Sequence, residues 1–432
     1  MEPSSPTSSW RVWSWVPSLY FSQGVPNAVA ASLSVVMFKN LGMSNAEIAL
    51  YTSAFYLPWV IKPLWSPVVE LTGAKRRWVV VMQAILALVL AALAMVIPSP
   101  DFRWLTLVLL WVMAFCSATH DIAADGFYLL ALPAHQQAAF VGVRSTFFRL
   151  SSIAVKGGLV GLAGLVIAHI GGIGRAWGII FAVLAGWFAL STAYHAWALP
   201  RPDTDVPAGR GDRERPGALE VFTSFLAKPG IGVILSFLLL YRLAEALALK
   251  LVEPFLLDPR AVGGLGLTNE QLGLANGTVG VISLLAGGLL GGWLISRYGL
   301  KRMLWPLICA MHAPLVVFLV LAWARPESLA QICAALAIEQ FGYGLGFTAY
   351  MVYMMSVAAG PHQTAHYAIC TGFMAAGLLL PGMVAGWLQE QLGYVNFFLC
   401  ACLATLPSFV AVAMVKVDPA YGRKATPASP AR

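Results

Sequence analysis

The chain has 432 residues, 59% hydrophobic and only 11% charged, with a formal net charge of +8. Ordinary soluble domains carry roughly 25% charged residues, and a soluble protein of this length has too little interior to hide so much apolar surface. The composition therefore excludes a soluble globular fold and points to a bilayer, where that surface needs no hiding.

Windows of about 20 apolar residues predict twelve spans, near 14–38, 46–69, 78–97, 103–130, 139–169 and 176–198, then 231–256, 270–296, 303–323, 329–356, 364–388 and 394–416. The expected organisation is an amino-terminal six-helix half over 1–199, a linker over 200–228, a carboxy-terminal half over 229–417 and a tail over 418–432. In span 1, Ala28-Val29-Ala30 mimics a signal-peptidase site. However, Gln23, Gly24 and Pro26 interrupt the apolar run and only Arg11 precedes it, which reads as an uncleaved span. Tyr20 and Gln23 in this span, with Tyr241 in span 7, are candidates for binding a sugar or peptide, or else packing residues. Trp13, Trp15, Trp104 and Trp197 near span ends read as interface anchors. Gly24 and Pro26 in span 1, and Pro381 and Gly382 in span 11, are expected to break their helices.

Span 2 holds Lys62 between Pro58 and Pro63. It either neutralises an acid or binds an anionic group of a substrate. After span 2 comes Glu70-Leu71-Thr72-Gly73-Ala74-Lys75-Arg76, which recurs after span 8 as Ser296-Arg297-Tyr298-Gly299-Leu300-Lys301-Arg302. A second echo sets His135-Gln136-Gln137-Ala138-Ala139-Phe140 beside His362-Gln363-Thr364-Ala365-His366-Tyr367. Both offsets are close to half the chain, the mark of a duplicated transporter half. In each turn the glycine permits a tight reversal, and the cations face the anionic leaflet or bond carbonyls at a helix end.

Charges inside the spans carry the functional argument. Span 4 has Asp121 and Asp125, span 7 has Glu245 and span 10 has Glu339. Each costs about 2.5–3.5 kcal/mol at mid-bilayer even on a lenient scale, so these acids must face one another or an interior. Asp121 and Asp125 are four apart and share a helix face. Two neighbouring carboxylates raise each other's affinity for protons, as a proton-coupled site requires; the competing reading is pairing with cations of span 5. Counting 1.5 Å per residue puts Asp125 about 12 Å deep and Arg144 about 10 Å, with Asp121 and Arg149 both about 18 Å deep. Such pairs are either permanent or break as a gate. In span 7, Arg242 and Glu245 are three apart on one face, followed by Lys250 and Glu253. At the repeat offset Asp121 aligns with Thr348, Asp125 with Val352 and Arg144 with Thr371, so the denser charge constellation lies in the first half.

The linker Pro200 to Pro216 mixes charges, and 218–226 is expected as a short surface helix with Leu219, Phe222 and Phe225 on one face. Lys75, Arg76, Arg77, Arg210, Arg213, Arg215, Arg297, Lys301, Arg302, Arg423 and Lys424 fall on one side of the twelve-span arrangement, against Arg103, Arg175, Arg260 and Arg325 on the other. The positive-inside rule places both termini in the cytoplasm, and no nucleic-acid partner is needed to explain the charge. The six cysteines lie in spans without metal-ligand spacing and read as packing residues.

The second turn, Gly292 through Arg302, resembles the loop signature of the major facilitator superfamily, with Ser296 in place of the acid. The first turn keeps the acid as Glu70 but has Leu71 for the arginine and Pro67 for the leading glycine. That resemblance implies an all-α integral membrane fold, twelve transmembrane helices in two six-helix halves around a central cavity lined by spans 1, 4, 7 and 10. Three further stretches are similar to the muropeptide permease and acetyl-coenzyme A transporter branch: Tyr20 to Pro26, Leu57 to Pro67 and Ala118 to Gly126. A glutamine commonly precedes the first aspartate in the permeases, and here the position is His120. With a reference pKa near 6.5, His120 either joins a proton relay, selects substrate, or simply bonds a neighbouring helix.

The resemblance implies proton-driven import of an anhydro-sugar peptide released in cell-wall recycling, across a bacterial inner membrane, by a monomer without a cofactor. Siderophore uptake is the alternative solute. A separate class of reading uses His120 and Asp125 as the histidine–aspartate pair of a lipid acyltransferase. On a continuous helix, residues five apart are offset by about 140° and do not meet. No glycine-rich phosphate loop ending in Gly-Lys-Ser/Thr is present, so ATP use is not expected.

Overall fold

A computed structural model describes residues 9–43, 51–52, 54–99, 102–170, 172–206, 217–267 and 269–424. The linker charges Arg210, Asp212, Arg213, Glu214 and Arg215, and the start of span 2, lie outside the described residues.

Long apolar stretches leave the backbone only one way to satisfy its polar groups in lipid, the helix. Ten described helices are long and apolar enough to cross a membrane, and no strand occurs among the described residues. We label as α1 Val16–Ala28, as α2 the short Leu57–Ile61, as α3 Lys75–Val96 and as α4 Phe102–Ala131. Then come α5 Ala134–His169, α6 Ile173–Ala198, α7 Ile231–Leu257, α8 Gly273–Tyr298, α9 Leu300–Ala324 and α10 Leu329–Ala358. The first two predicted spans are both interrupted. Past Pro26, α1 widens into a π turn, Val29–Leu33, before resuming as Ser34–Asn40. In span 2, α2 gives way to a 3-10 turn, Lys62–Leu64, and then to Ser66–Thr72, because Pro63 and Pro67 supply no backbone N–H.

Span 11 departs from expectation. The helical run Gln363–Leu403 passes through Pro381 and Gly382 and is interrupted instead at Gly393, at φ 69°, a conformation glycine adopts without penalty. Gly393 separates α11, residues 363–392, from α12, residues 394–414.

The chain forms two compact units. Unit 1 comprises Met1–Leu132, Arg144–Val221 and Gly360–Gly372; unit 2 comprises Pro133–Val143, Phe222–Ala359 and Phe373–Arg432. In unit 1, Leu86, Leu93, Phe181 and Phe188 share one core with Val25 and Leu33. A Cβ on Gly178 would lie 2.7 Å from the carbonyl of Ala94, so α6 presses directly on α3. The segment 360–372 is held in this unit at Gly126, where a Cβ would meet Thr364 Cγ2 at 2.3 Å.

In unit 2 the close approach is between α8 and α10. A Cβ on Gly287 would stand 2.1 Å from the carbonyl of Phe341, and one on Gly344 would stand 2.2 Å from that of Leu284. Small residues allow this spacing, and van der Waals contact holds membrane helices together. Gly287→Val is expected to separate the two helices at a cost of about 1–3 kcal/mol, seen as a lowered thermal midpoint in detergent. An unchanged midpoint would mean that the contact carries no stability.

The helix Ala218–Leu226 buries Val221 and Phe225, while Leu219 is exposed. Of the expected face Phe225 is buried and Phe222 half-buried, and only Leu219 departs from it. Trp13, Trp104 and Trp197 are exposed, as anchors would be. Trp15 is not an anchor: it is buried, edge-on to Phe127 at 5.3 Å and to Tyr128 at 6.4 Å.

Candidate functional site

The site lies inside unit 1, where α1, the 3-10 turn of span 2, α4 and the start of α5 bring their polar groups together. A Cβ on Gly24 would overlap Ser151 Oγ at 2.0 Å and approach the Phe148 carbonyl at 2.7 Å. This glycine lets α1 lie against α5 and carries Tyr20 and Gln23 to the acids.

The two aspartates have separate partners. Asp125 accepts from Arg144 Nη2 at 2.6 Å and from the Tyr20 hydroxyl at 3.1 Å. The guanidinium also sits over the rings of Tyr20 at 4.3 Å, Tyr128 at 5.0 Å and Tyr367 at 5.8 Å, an arrangement worth about 0.5–2 kcal/mol per desolvated contact. Asp121 accepts from Lys62 Nζ and from Gln23 Nε2. The depth count sets Asp121 level with Arg149, which is half-buried on α5; the bond found is to Lys62. The cause is the break in span 2: a straight helix count cannot place a lysine held on a 3-10 turn between two prolines.

Burial this complete requires every polar atom to be satisfied. Two are not. Gln23 Oε1 and Arg144 Nη1 are buried with no hydrogen-bond partner among the described residues, although their residues are only 4% and 5% exposed. One is an acceptor and the other a charged donor, and each orphan costs about 1–3 kcal/mol or more.

His120 turns away from both acids' partners, bonding Gln83 of α3 at 3.0 Å. His120 and Asp125 therefore bond different helices, which leaves the acyltransferase pairing unassembled. Gln83 in turn meets His195 of α6 at 2.9 Å. Sequence reasoning missed Gln83 and His195, although a polar residue in an otherwise apolar span was a usable signal. It also missed Tyr128 and Tyr367, for which no signal existed.

In unit 2, Arg242 grips Glu245 with Nε at 2.7 Å and Nη2 at 2.8 Å, and also donates to the Tyr343 hydroxyl at 2.9 Å. Glu339 is buried and accepts from Gln340 at 2.8 Å. Tyr241 is fully buried, stacked on Tyr350 at 4.9 Å with its hydroxyl on the Gly346 carbonyl, which is a packing position. Thr348, at the offset of Asp121, bonds the carbonyls of Gly288 and Gly344.

The repeated turns differ in detail. Glu70 is buried, 3.6 Å from Lys75 Nζ, and accepts from the backbone N–H of Ala365 at 3.1 Å. Asp205 of the linker caps α3 by accepting from the N–H groups of Lys75 at 2.6 Å and Arg76 at 2.9 Å. Arg76 reaches the Ala196 carbonyl in the last turn of α6 and that of Leu199 just past it. Gly73 is at φ −167°, ordinary extended backbone, so the tight reversal expected of it is not what it provides. Instead, a Cβ there would crowd Trp78 Nε1 at 3.0 Å. Gly299, at φ 86°, does need to be glycine. Gly292 stands where a Cβ would meet the Ala138 carbonyl at 2.7 Å. Lys301 and Arg302 are exposed, Arg302 lying over the Tyr298 ring at 5.8 Å.

The chain matches the family model described as Major Facilitator Superfamily over residues 18–249 and 243–431. It is 26% identical over 414 residues to the anhydromuropeptide permease of Escherichia coli strain K12, covering 94% of this chain and 80% of the permease. It is 23% identical over 402 residues to the putative transporter AmpG 4 of Rickettsia conorii, covering 89% and 92%. Among solved structures it resembles the Escherichia coli fucose:proton symporter FucP, with TM-score 0.66 and 15% identity over 92% of this chain and 97% of that one, a likeness of fold alone.

Proposed function

The chain belongs to the major facilitator superfamily and is a multi-pass membrane protein, and from that premise we propose that it imports an anhydromuropeptide by proton-driven alternating access. Its place would be the bacterial inner membrane, with both termini cytoplasmic. Similarity to a permease of that name over most of both chains supports the solute.

The observation that carries the reading is the two orphaned polar atoms at the ion pairs of unit 1. A sugar-peptide offers carboxylates to Arg144 Nη1, and amide or hydroxyl donors to Gln23 Oε1, the two orphaned atoms. Each orphan sits on a residue that also holds an aspartate. Substrate arrival and aspartate charge thus act on the same side chains. When Asp121 gains a proton it loses its attraction for Lys62, freeing the lysine; when it loses the proton the pair re-forms. Glu339, held by a neutral amide, and Glu245 are secondary proton carriers in this reading.

Proteoliposomes holding the purified protein should accumulate labelled anhydromuropeptide only under an inward proton gradient. Absence of accumulation by folded protein would overturn the solute assignment, and siderophores would be tested next.

A further inference from the structure

Behind the acids, four side chains of unit 1 form a continuous hydrogen-bonded chain. Gln83 Nε2 is 3.0 Å from His120 Nε2, Gln83 Oε1 is 2.9 Å from His195 Nδ1, and His195 Nε2 is 3.0 Å from Ser18 Oγ. Ser18 Oγ lies 3.2 Å from the Trp15 carbonyl. Gln83, His120 and His195 are at most 1% exposed. The chain starts beside Asp121 and runs to His195, near the carboxy-terminal end of α6, so it leads from the acid toward that end of the unit.

A primary amide has one donor face and one acceptor face. Whichever imidazole meets the NH2 group must offer a bare nitrogen there, and so stays neutral on that side. Whichever meets the oxygen can carry hydrogens on both nitrogens. With the amide as found, His195 is the one able to take a proton: Nδ1–H donates to Gln83 Oε1, the added Nε2–H donates to Ser18 Oγ, and the serine hydrogen turns to the Trp15 carbonyl. Rotating the amide by half a turn exchanges the roles of His120 and His195. Either orientation of the amide admits one proton and excludes a second.

We propose that His120, Gln83, His195 and Ser18 form a single-occupancy proton site, in which the Gln83 amide admits one proton to either imidazole and never to both. Its role in coupling rests on the proton-driven reading above; its existence does not. With the amide oxygen turned to His120 the site's single proton is held there, on the residue next to Asp121; with the amide as found it is held at His195. The charged and titratable groups around it are few. Asp121 adjoins His120 on α4, with Lys62 bonded to that acid; Tyr194 adjoins His195 at 5.4 Å; and Arg76 binds the carbonyls of Ala196 and Leu199. From α1 comes Ser18, which is neutral, while Tyr20 of the same helix bonds Asp125.

The test is histidine nitrogen NMR on purified protein with labelled histidine, titrated downward from about pH 8 as far as the protein stays folded. His120→Gln and His195→Gln identify the two signals among the seven histidines. In the wild type the two residues should together take up one proton. Gln83→Glu keeps the shape but presents an acceptor to each ring, so both should become cationic, with midpoints raised by about one unit or more. A merely structural bridge would leave both imidazoles neutral throughout the titration of the wild type. Two protons on the wild-type pair, none in this range, or midpoints unmoved in Gln83→Glu would each overturn the site. No substrate enters the measurement, so a failed uptake assay leaves its outcome intact.

Discussion

Asp121→Asn is expected to abolish uphill accumulation of anhydromuropeptide while leaving solute exchange across the same membrane intact. An inward gradient of about one pH unit supplies about 1.4 kcal/mol per coupled proton, which sustains about tenfold accumulation. Asparagine keeps the shape and can accept from only one of Lys62 and Gln23 through its single oxygen, and it cannot gain or lose a proton, so the accumulation ratio should fall from about tenfold to one. Asp121 is chosen over Asp125 because its side chain is 12% exposed against 6%, and it is gripped by a lysine on a broken turn rather than by a caged arginine. Accumulation preserved in Asp121→Asn would remove it from the coupling path. Loss of exchange together with accumulation would show that it serves the translocation step itself.

The second large effect concerns Asp125 and Arg144. Arg144→Met should destabilise the protein by about 3–5 kcal/mol, because it leaves a buried carboxylate without its counter-charge. Removing both partners, as Arg144→Met with Asp125→Leu, should restore most of that stability, since a buried pair replaced by apolar groups is often neutral or better. Transport then separates two roles that stability cannot. If the pair opens and closes during the cycle, the stable double variant will not transport. If it only holds α4 to α5, the double variant will transport as well as the wild type. Thermal midpoints and uptake measured on the wild type and these two variants decide the matter.

How much of this was legible beforehand depended on whether the physics is local. Asp121, Asp125, Arg144 and Lys62 stand out in sequence because a charge in an apolar window is expensive wherever it packs. The partner of Asp125 was readable too, since α4 and α5 are joined by a short connection and depth alone brings Arg144 to its level. The partner of Asp121 was not. Lys62 arrives from a stretch whose prolines break the helix, and counting rise per residue fails there. Gly73 misled for a related reason: it matches Gly299 in register, but its backbone is extended and its small size serves Trp78.

The sequence by itself determined the membrane setting, the duplicated halves and the residues too costly to leave in lipid, because hydropathy, repeats and charge are properties of neighbouring residues. Only the tertiary structure decided which of those residues meet. Lys62 and Asp121 are 59 positions apart, Gln83 and His195 112, and Lys75 and Asp205 130. Such pairings arise from helices brought side by side, where the glycines at 24 and 178 permit contact closer than any Cβ allows, and no local pattern encodes them.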